Sequence, residues 1–258
     1  MKPNGAVLWT GPSELDGAPL VVIAVGLANA SSNRKTGGMV QTYILLQDRS
    51  PVDAVRDGTD ASICGDCKHR GIDADPGQAG GRAKTGRTCY VNIGQGPLGV
   101  WRAWKRGRYP VATDLAAIGV DRNVRLGTYG DPAAVPAFIW RLLTSRAKGR
   151  TGYTHQWRTA HGLRGLCMAS VDTEAEAATA RAFGWRYFRV AMPGDHARLP
   201  LEAICPASAE AGRKLTCEAC LACSGANGRR GSIVIQAHGG TAVMSAVNKA
   251  PVRAYFMR

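Results

Sequence analysis

The sequence predicts an α/β chain folded as a (β/α) barrel or partial barrel of about six to eight mostly parallel strands, with an N-terminal β-hairpin and two cysteine-rich metal loops. Three observations lead there. From residue 120 onward, short runs rich in β-branched and aromatic residues alternate with helical stretches, the pattern of parallel strands joined by crossover helices. Polar residues gather just past the carboxyl ends of those runs: Thr128, Tyr129 and Asp131; Thr154, His155 and Gln156; Ser170 and Asp172; Cys205; Gln236 and His238. A barrel builds its site from such positions on several strands, whereas a doubly wound sheet binds mainly at one switch point, and no G-x-G-x-x-G stands at the first turn. Finally, seven of the eight cysteines fall into two groups. Residues 1–258 are expected to form one domain, with a hairpin region over 1–50 and cysteine loops over 60–92 and 205–223.

In chain order, residues 19–28 and 39–47 read as the hairpin, flanking a polar glycine-containing loop. Within that loop Asn33, Arg34 and Lys35 are candidate phosphate or cofactor contacts, although no Gly-Lys-Ser/Thr stands at P-loop spacing. A short helix follows Pro97, with Trp101 and Trp104 on one face and Arg102, Lys105 and Arg106 on another, so that it can lie along a phosphate backbone or cover a core. Residues 122–126 read as a strand, and 133–147 as a helix with Val135, Phe138, Ile139 and Leu142 at helical spacing. Strands are expected at 152–157, 166–171, 185–190, 201–204 and 232–236, with a helix over 174–183 capped by Asp172-Thr173.

The cysteine spacings point to metal. In Cys217-x2-Cys220-x2-Cys223 a winding loop returns a thiolate to one centre about every third residue, and Cys205, followed by Pro206, closes the set. Four thiolates suit a [4Fe-4S] cluster or a structural zinc ion. Cys64 and Cys67 form a second pair, joined by Cys89 twenty-two residues on. Three thiolates leave one position open, as a catalytic iron-sulfur cluster requires; with His69 as fourth ligand the same residues make a closed zinc site. Asp131, His155 and His238 are the candidate catalytic groups, because each follows a strand and carries a titratable side chain. Cys167 lies within an apolar run and reads as a buried hydrophobe, and no nucleophile elbow or Ser/His/Asp triad can be drawn.

Thirty-three Lys and Arg against nineteen Asp and Glu leave a net charge of +14, which suits nucleic acid or a phosphorylated substrate. No signal-peptide pattern follows Met1, and the apolar residues 18–28 are too few to span a bilayer, so the reading is a cytoplasmic chain without membrane contact. In that compartment cysteines bind metal or react more often than they form disulfides.

Several of these stretches together resemble a known group. Asn33-Arg-Lys-Thr-Gly37, Cys64-x2-Cys67 with Cys89-Tyr90, Arg125-Leu-Gly-Thr-Tyr-Gly-Asp131, Gly152-Tyr-Thr-His-Gln-Trp157, Cys205-Pro with Cys217-x2-Cys220-x2-Cys223, and His238-Gly239 are similar in kind and order to the bacteriophage gene-product-eighty-eight group. That resemblance implies a phage origin and a host-cytoplasm location, and it carries no assigned reaction. A more distant likeness is to radical S-adenosylmethionine enzymes, partial barrels with an open-iron cluster and often an auxiliary one. It implies that Cys64, Cys67 and Cys89 match the first and Cys205, Cys217, Cys220 and Cys223 the second, with S-adenosylmethionine as cofactor. The long step from Cys67 to Cys89 departs from the compact C-x3-C-x2-C of those enzymes. Two functions are therefore expected: an iron-sulfur enzyme of redox or radical type acting on nucleic acid or a nucleotide, or a non-catalytic nucleic-acid-binding protein with two structural zinc or iron-sulfur sites.

Overall fold

The computed structural model describes residues 3–31, 33, 35–70, 87–212, 215–226 and 230–238. Arg34, the glycine-rich insertion at 71–86 and Gly239 lie outside them. The chain opens with β1 (Gly5–Pro12), β2 (Pro19–Val25) and β3 (Val40–Leu46), which pair antiparallel in sequence order. The expected hairpin is the β2–β3 pair; β1 adds a strand the sequence reading did not include. Every residue of β3 is buried, as in a strand covered on both faces. Its polar side chains are accordingly bonded: the Gln41 amide donates to Thr36 Oγ1 at 2.6 Å, and Thr42 Oγ1 donates to the Arg125 carbonyl at 3.0 Å.

After α1 (Pro51–Asp57), α2 (Ala61–Cys64), α3 (Gly96–Lys105) and α4 (Leu115–Gly119), the chain enters β4 (Asn123–Tyr129), parallel to β3. The register shifts between Gln41 and Tyr43, and there the amide of Gly127 donates to Thr42 Oγ1 at 2.9 Å, so the irregularity leaves no orphaned donor. Gly127 has φ +63°, and a Cβ on it would stand 2.5 Å from the Gly130 carbonyl oxygen. Only glycine lets β4 turn this tightly, and the turn presents Tyr129 and Asp131.

Next come α5 (Ala137–Thr144) and β5 (Gly149–Thr151), which completes a five-stranded sheet in the order β1-β2-β3-β4-β5. One residue later β6 (Tyr153–Thr154) begins the second sheet. It continues through β7 (Met168–Val171), α6 (Glu174–Ala182), β8 (Tyr187–Ala191), β9 (Glu202–Ile204), α7 (Cys217–Cys220) and β10 (Ser232–Gln236), with strand order β6-β7-β8-β10-β9 and every pairing parallel. Gly152 is the junction between the sheets. Its amide donates to the Cys223 carbonyl at 3.1 Å, its carbonyl accepts from the Met168 amide at 2.9 Å, and a Cβ there would press on Cys167 Sγ at 2.8 Å.

The architecture is thus mixed α/β, with two five-stranded sheets and no closed barrel among the described residues. The barrel expectation fails at its ends. An antiparallel strand, β1, forms one edge, the three-residue β9 forms the other, and β10 inserts between β8 and β9 instead of extending the series. One apolar core nonetheless runs through both sheets, from Ile44 and Leu126 to Ala169 and Tyr187, with Trp140 and Trp157 buried in it.

Two local expectations also change. The helix expected over 133–147 is divided by Pro136: residues 132–134 form a 3-10 turn, Val135 is extended, and α5 starts at Ala137. Its buried face is Ile139, Trp140 and Leu143, while Phe138 and Leu142 are exposed. The indole of Trp140 donates to the Pro132 carbonyl at 2.8 Å, which fixes that rotation. On α3 the charged and aromatic faces merge, because Lys105 Nζ lies over the rings of Trp101 and Trp104 at 5.4 and 5.1 Å. Among the described residues no helix is long and apolar enough to cross a membrane.

Candidate metal centres

The first group of cysteines is assembled on the carboxyl ends of β4, β6 and β7. Cys64 ends α2, and the preceding carbonyl, of Ile63, accepts from the Asp131 amide at 2.6 Å, so the helix is stitched to the turn after β4. Arg70 braces the same loop, donating from Nη2 to Asp60 Oδ1 at 2.8 Å and to the Gly58 carbonyl at 2.9 Å. The Cys67 amide bonds the Cys64 carbonyl at 3.4 Å, and the Cys89 amide bonds the His69 carbonyl at 3.0 Å. These bonds gather three thiols from two segments, close enough that Cys64 senses the charge of both Cys67 and Cys89. Burial, more than any neighbour, pushes all three thiols up, Cys67 to about 11. The hydroxyl of Tyr129 is buried beside them without a hydrogen-bond partner.

Against this trio lie His69, His155, Asp131 and Asp172. His69 accounts for both its nitrogens: Nδ1 meets Thr88 Oγ1 at 2.8 Å and Nε2 meets Asp172 Oδ1 at 3.0 Å. Burial disfavours both charges of that pair, yet the bond between them raises His69 and holds Asp172 well below the usual carboxylate range. A closed site with His69 as fourth ligand to the cysteines would have to break one of these bonds. Asp131 is buried, and its two oxygens accept from the amides of Ala133 at 2.9 Å and His155 at 2.7 Å, so it brackets the turn to the end of β6. Burial raises its carboxyl above the ordinary value. The His155 ring stands edge-on to that of His69 with centroids 5.9 Å apart, and its Nε2 is buried without a hydrogen-bond partner. One ligand atom each from His69, His155 and Asp172 lie within 4.8 Å of one another, a spacing that no trio of cysteines meets among the described residues.

The second group lies around β9, β10 and the junction at Gly152. Cys205 leaves β9 with its amide on the Val234 carbonyl at 2.8 Å. Thr216 caps α7, accepting from the Ala219 amide at 3.2 Å, and α7 is docked by the Cys217 amide on the Lys35 carbonyl at 2.7 Å and by Glu218 Oε2, which accepts from the Gly38 amide at 2.7 Å. Leu221, at φ +49°, turns the chain so that Cys223 returns to the cluster. Cys205 and Cys223 are buried with Met168, Ile233 and Ile235 in a small core of their own. Burial pushes Cys223 up to about 12, against its hydrogen bond with Tyr153, and it senses Cys205, Cys217 and Cys220.

Cations and aromatic rings flank this second set. The Arg125 guanidinium lies 5.4 Å from the Tyr153 ring and donates to the Tyr90 hydroxyl at 3.1 Å. Lys35 Nζ is 3.2 Å from His238 Nε2, and the His238 ring stacks on Tyr90 at 6.0 Å. His238, expected beside Asp131 and His155, therefore belongs with the four-cysteine set. Asn33 is a turn residue, its Oδ1 accepting from the Lys35 amide at 3.0 Å, and Arg34 lies outside the described residues. Cys167 is fully buried, as its apolar run implies.

No local sequence pattern assigns a role to Thr88, Tyr90 or Arg125, and Asp172 reads from the sequence as a helix cap. The cap of α6 is Thr173, whose Oγ1 accepts from the Glu176 amide at 3.0 Å, and this leaves the Asp172 carboxylate for His69. The signal was its place at the carboxyl end of β7, the same signal that singled out Asp131 and His155. In comparisons with protein-family models, curated proteins and solved structures, nothing matches this chain.

Proposed function

We propose that this chain is an iron-sulfur protein of phage type acting on nucleic acid or a nucleotide, with an open-site cluster on Cys64, Cys67 and Cys89 and a closed cluster on Cys205, Cys217, Cys220 and Cys223. The observation that carries the proposal is the gathering of seven free cysteines, from segments far apart in sequence, into one group of three and one of four. The Cys217-x2-Cys220-x2-Cys223 run with the Cys205-Pro206 pair favours iron-sulfur over zinc, which more often takes two separate two-cysteine knuckles.

Such clusters supply one-electron redox or radical chemistry when bound. The protein's own part is to hold and orient. The three-cysteine set faces His69, Asp172, Asp131 and the buried Tyr129 hydroxyl at the carboxyl ends of the strands, where a parallel α/β sheet most readily admits a ligand. The four-cysteine set has no vacant position, so its role is structural or electron relay, with Arg125 and Lys35 offsetting negative charge nearby. The net charge of +14 provides the attraction for phosphates. Metal and acid-labile sulfide analysis of anaerobically purified protein, with its absorption spectrum, tests this. Brown protein with about eight iron and eight sulfide per chain is expected for two four-iron clusters. Colourless protein with stoichiometric zinc and no sulfide would overturn the proposal and favour the structural-zinc reading.

A further inference from the structure

From the arrangement of His69, His155 and Asp172 we infer a separate site for one divalent transition-metal ion, held by two imidazole nitrogens and one carboxylate oxygen and free of thiolate. It goes beyond the cluster proposal and does not depend on it. The three side chains come from different elements: His69 from the turn at Lys68–Arg70, His155 from the end of β6 and Asp172 from the end of β7. Their ligand atoms lie within 4.8 Å of one another, unlike any set that includes the neighbouring cysteines.

The spacing within the group suits an ion. His69 Nε2 and Asp172 Oδ1 are 3.0 Å apart. Two ligands at right angles on bonds of about 2.1 Å also stand about 3.0 Å apart, so an ion can replace the hydrogen bond without moving either side chain far. His155 supplies the independent observation, because its Nε2 is buried with no hydrogen-bond partner. An ion pair between His69 and Asp172 explains two of the three residues and leaves that nitrogen unexplained, whereas a metal ion engages all three. Two histidines and a carboxylate that leave positions open are the donor set of non-haem ferrous sites.

The surrounding bonds are those that orient metal ligands. Thr88 Oγ1 meets His69 Nδ1 at 2.8 Å, leaving Nε2 to face the site. Asp131 fixes the His155 backbone through its amide at 2.7 Å, and the Glu176 carboxylate accepts from the Asp172 amide at 2.9 Å. Lys68, whose charge Asp172 senses, and Arg158 make their ion pairs with Glu176 Oε1 instead, at 3.1 and 3.3 Å.

Titration with Co(II), anaerobically and after a mild chelator wash that leaves sulfide content unchanged, tests the site. The expected result is one Co(II) per chain with weak visible ligand-field bands and no thiolate-to-cobalt charge-transfer band. His155→Ala and Asp172→Asn should lose this binding, and Thr88→Ala should weaken it by about 10–100-fold, the usual effect of removing an orienting partner. Absence of Co(II) uptake by the wild-type protein, equal uptake by both ligand variants, or a thiolate charge-transfer band in protein whose sulfide is intact would overturn the inference. The wild-type titration needs no variant to fold. Sulfide assayed on the same samples separates the two proposals: sulfide without Co(II) uptake rejects this site alone, and uptake without sulfide rejects the clusters alone.

Discussion

Replacing Glu202 by Gln tests how the four-cysteine set is held. Arg189 on β8 and Glu202 on β9 meet across β10, donating from Nε to Oε1 and from Nη2 to Oε2, both at 2.8 Å. Their side chains are 1% and 0% exposed, so no water can take over when the carboxylate is removed. Leaving one member of such a pair charged and uncompensated costs about 3–5 kcal/mol. Glutamine keeps one acceptor oxygen for the guanidinium, which places the loss near the lower limit, about 3 kcal/mol. At about 2–4 °C per kcal/mol for a chain of this size, the melting temperature should fall by about 6–12 °C. The effect should also depend on pH. Burial works to raise the Glu202 carboxyl, but the bonds from Arg189 outweigh it and hold the group below its ordinary value. A depressed folded-state pKa contributes stability above the unfolded value of about 4.3 and loses it as pH falls through the folded value. The gap between wild type and Glu202→Gln, read from urea midpoints, should be full at neutral pH and close on acidification. Equal midpoints at neutral pH, or a gap that persists into strong acid, would refute the reasoning. Because β9 leads directly into Cys205, the variant should also release metal from the four-cysteine set before the three-cysteine set.

Other predictions address the two thiol groups, the sheet junction and the basic surface. Cys64→Ser or Cys89→Ser should remove the iron and sulfide of one cluster and leave the other, and Cys217→Ser should do the reverse; proportional loss of both in every variant would mean that the sets are not independent. Gly152→Ala drives a methyl group to 2.8 Å from Cys167 Sγ and 3.1 Å from Leu126 Cβ. It should lower stability by about 1–3 kcal/mol in urea unfolding, as overpacking does. Single-stranded and duplex nucleic acid should bind with an affinity that falls steeply with salt in mobility-shift assays, and a flat response would argue against phosphate contacts.

What the sequence made legible follows from how local each signal is. The strand at 232–236 is where it was expected, because a continuous apolar run bounded by glycine and by a polar end is a local pattern. Spacing within each loop likewise limits which thiols stand near one another, as Cys64 does to Cys67 and Cys223 to Cys220. Closure into a barrel was not, because it depends on which strands pair over long separations, and β10 lies between β8 and β9 in a way no local pattern encodes. Pro136 is visible in the sequence, yet its consequence, the rotation of α5 that buries Trp140, depends on a carbonyl eight residues before that tryptophan, at Pro132. The pairing of His69 with Asp172 joins residues 103 apart and uses a carboxylate that stands next to a good helix cap. Tyr90 and Arg125 belong to the site only because β4 passes beneath the first cysteine loop, and that proximity is tertiary.

Electron paramagnetic resonance of anaerobically reduced protein, with iron and sulfide measured on the same sample, tests the central claim most directly. Two cluster signals should appear, one absent from Cys89→Ser and the other absent from Cys217→Ser. A silent spectrum from protein that carries stoichiometric zinc and no labile sulfide would contradict the account.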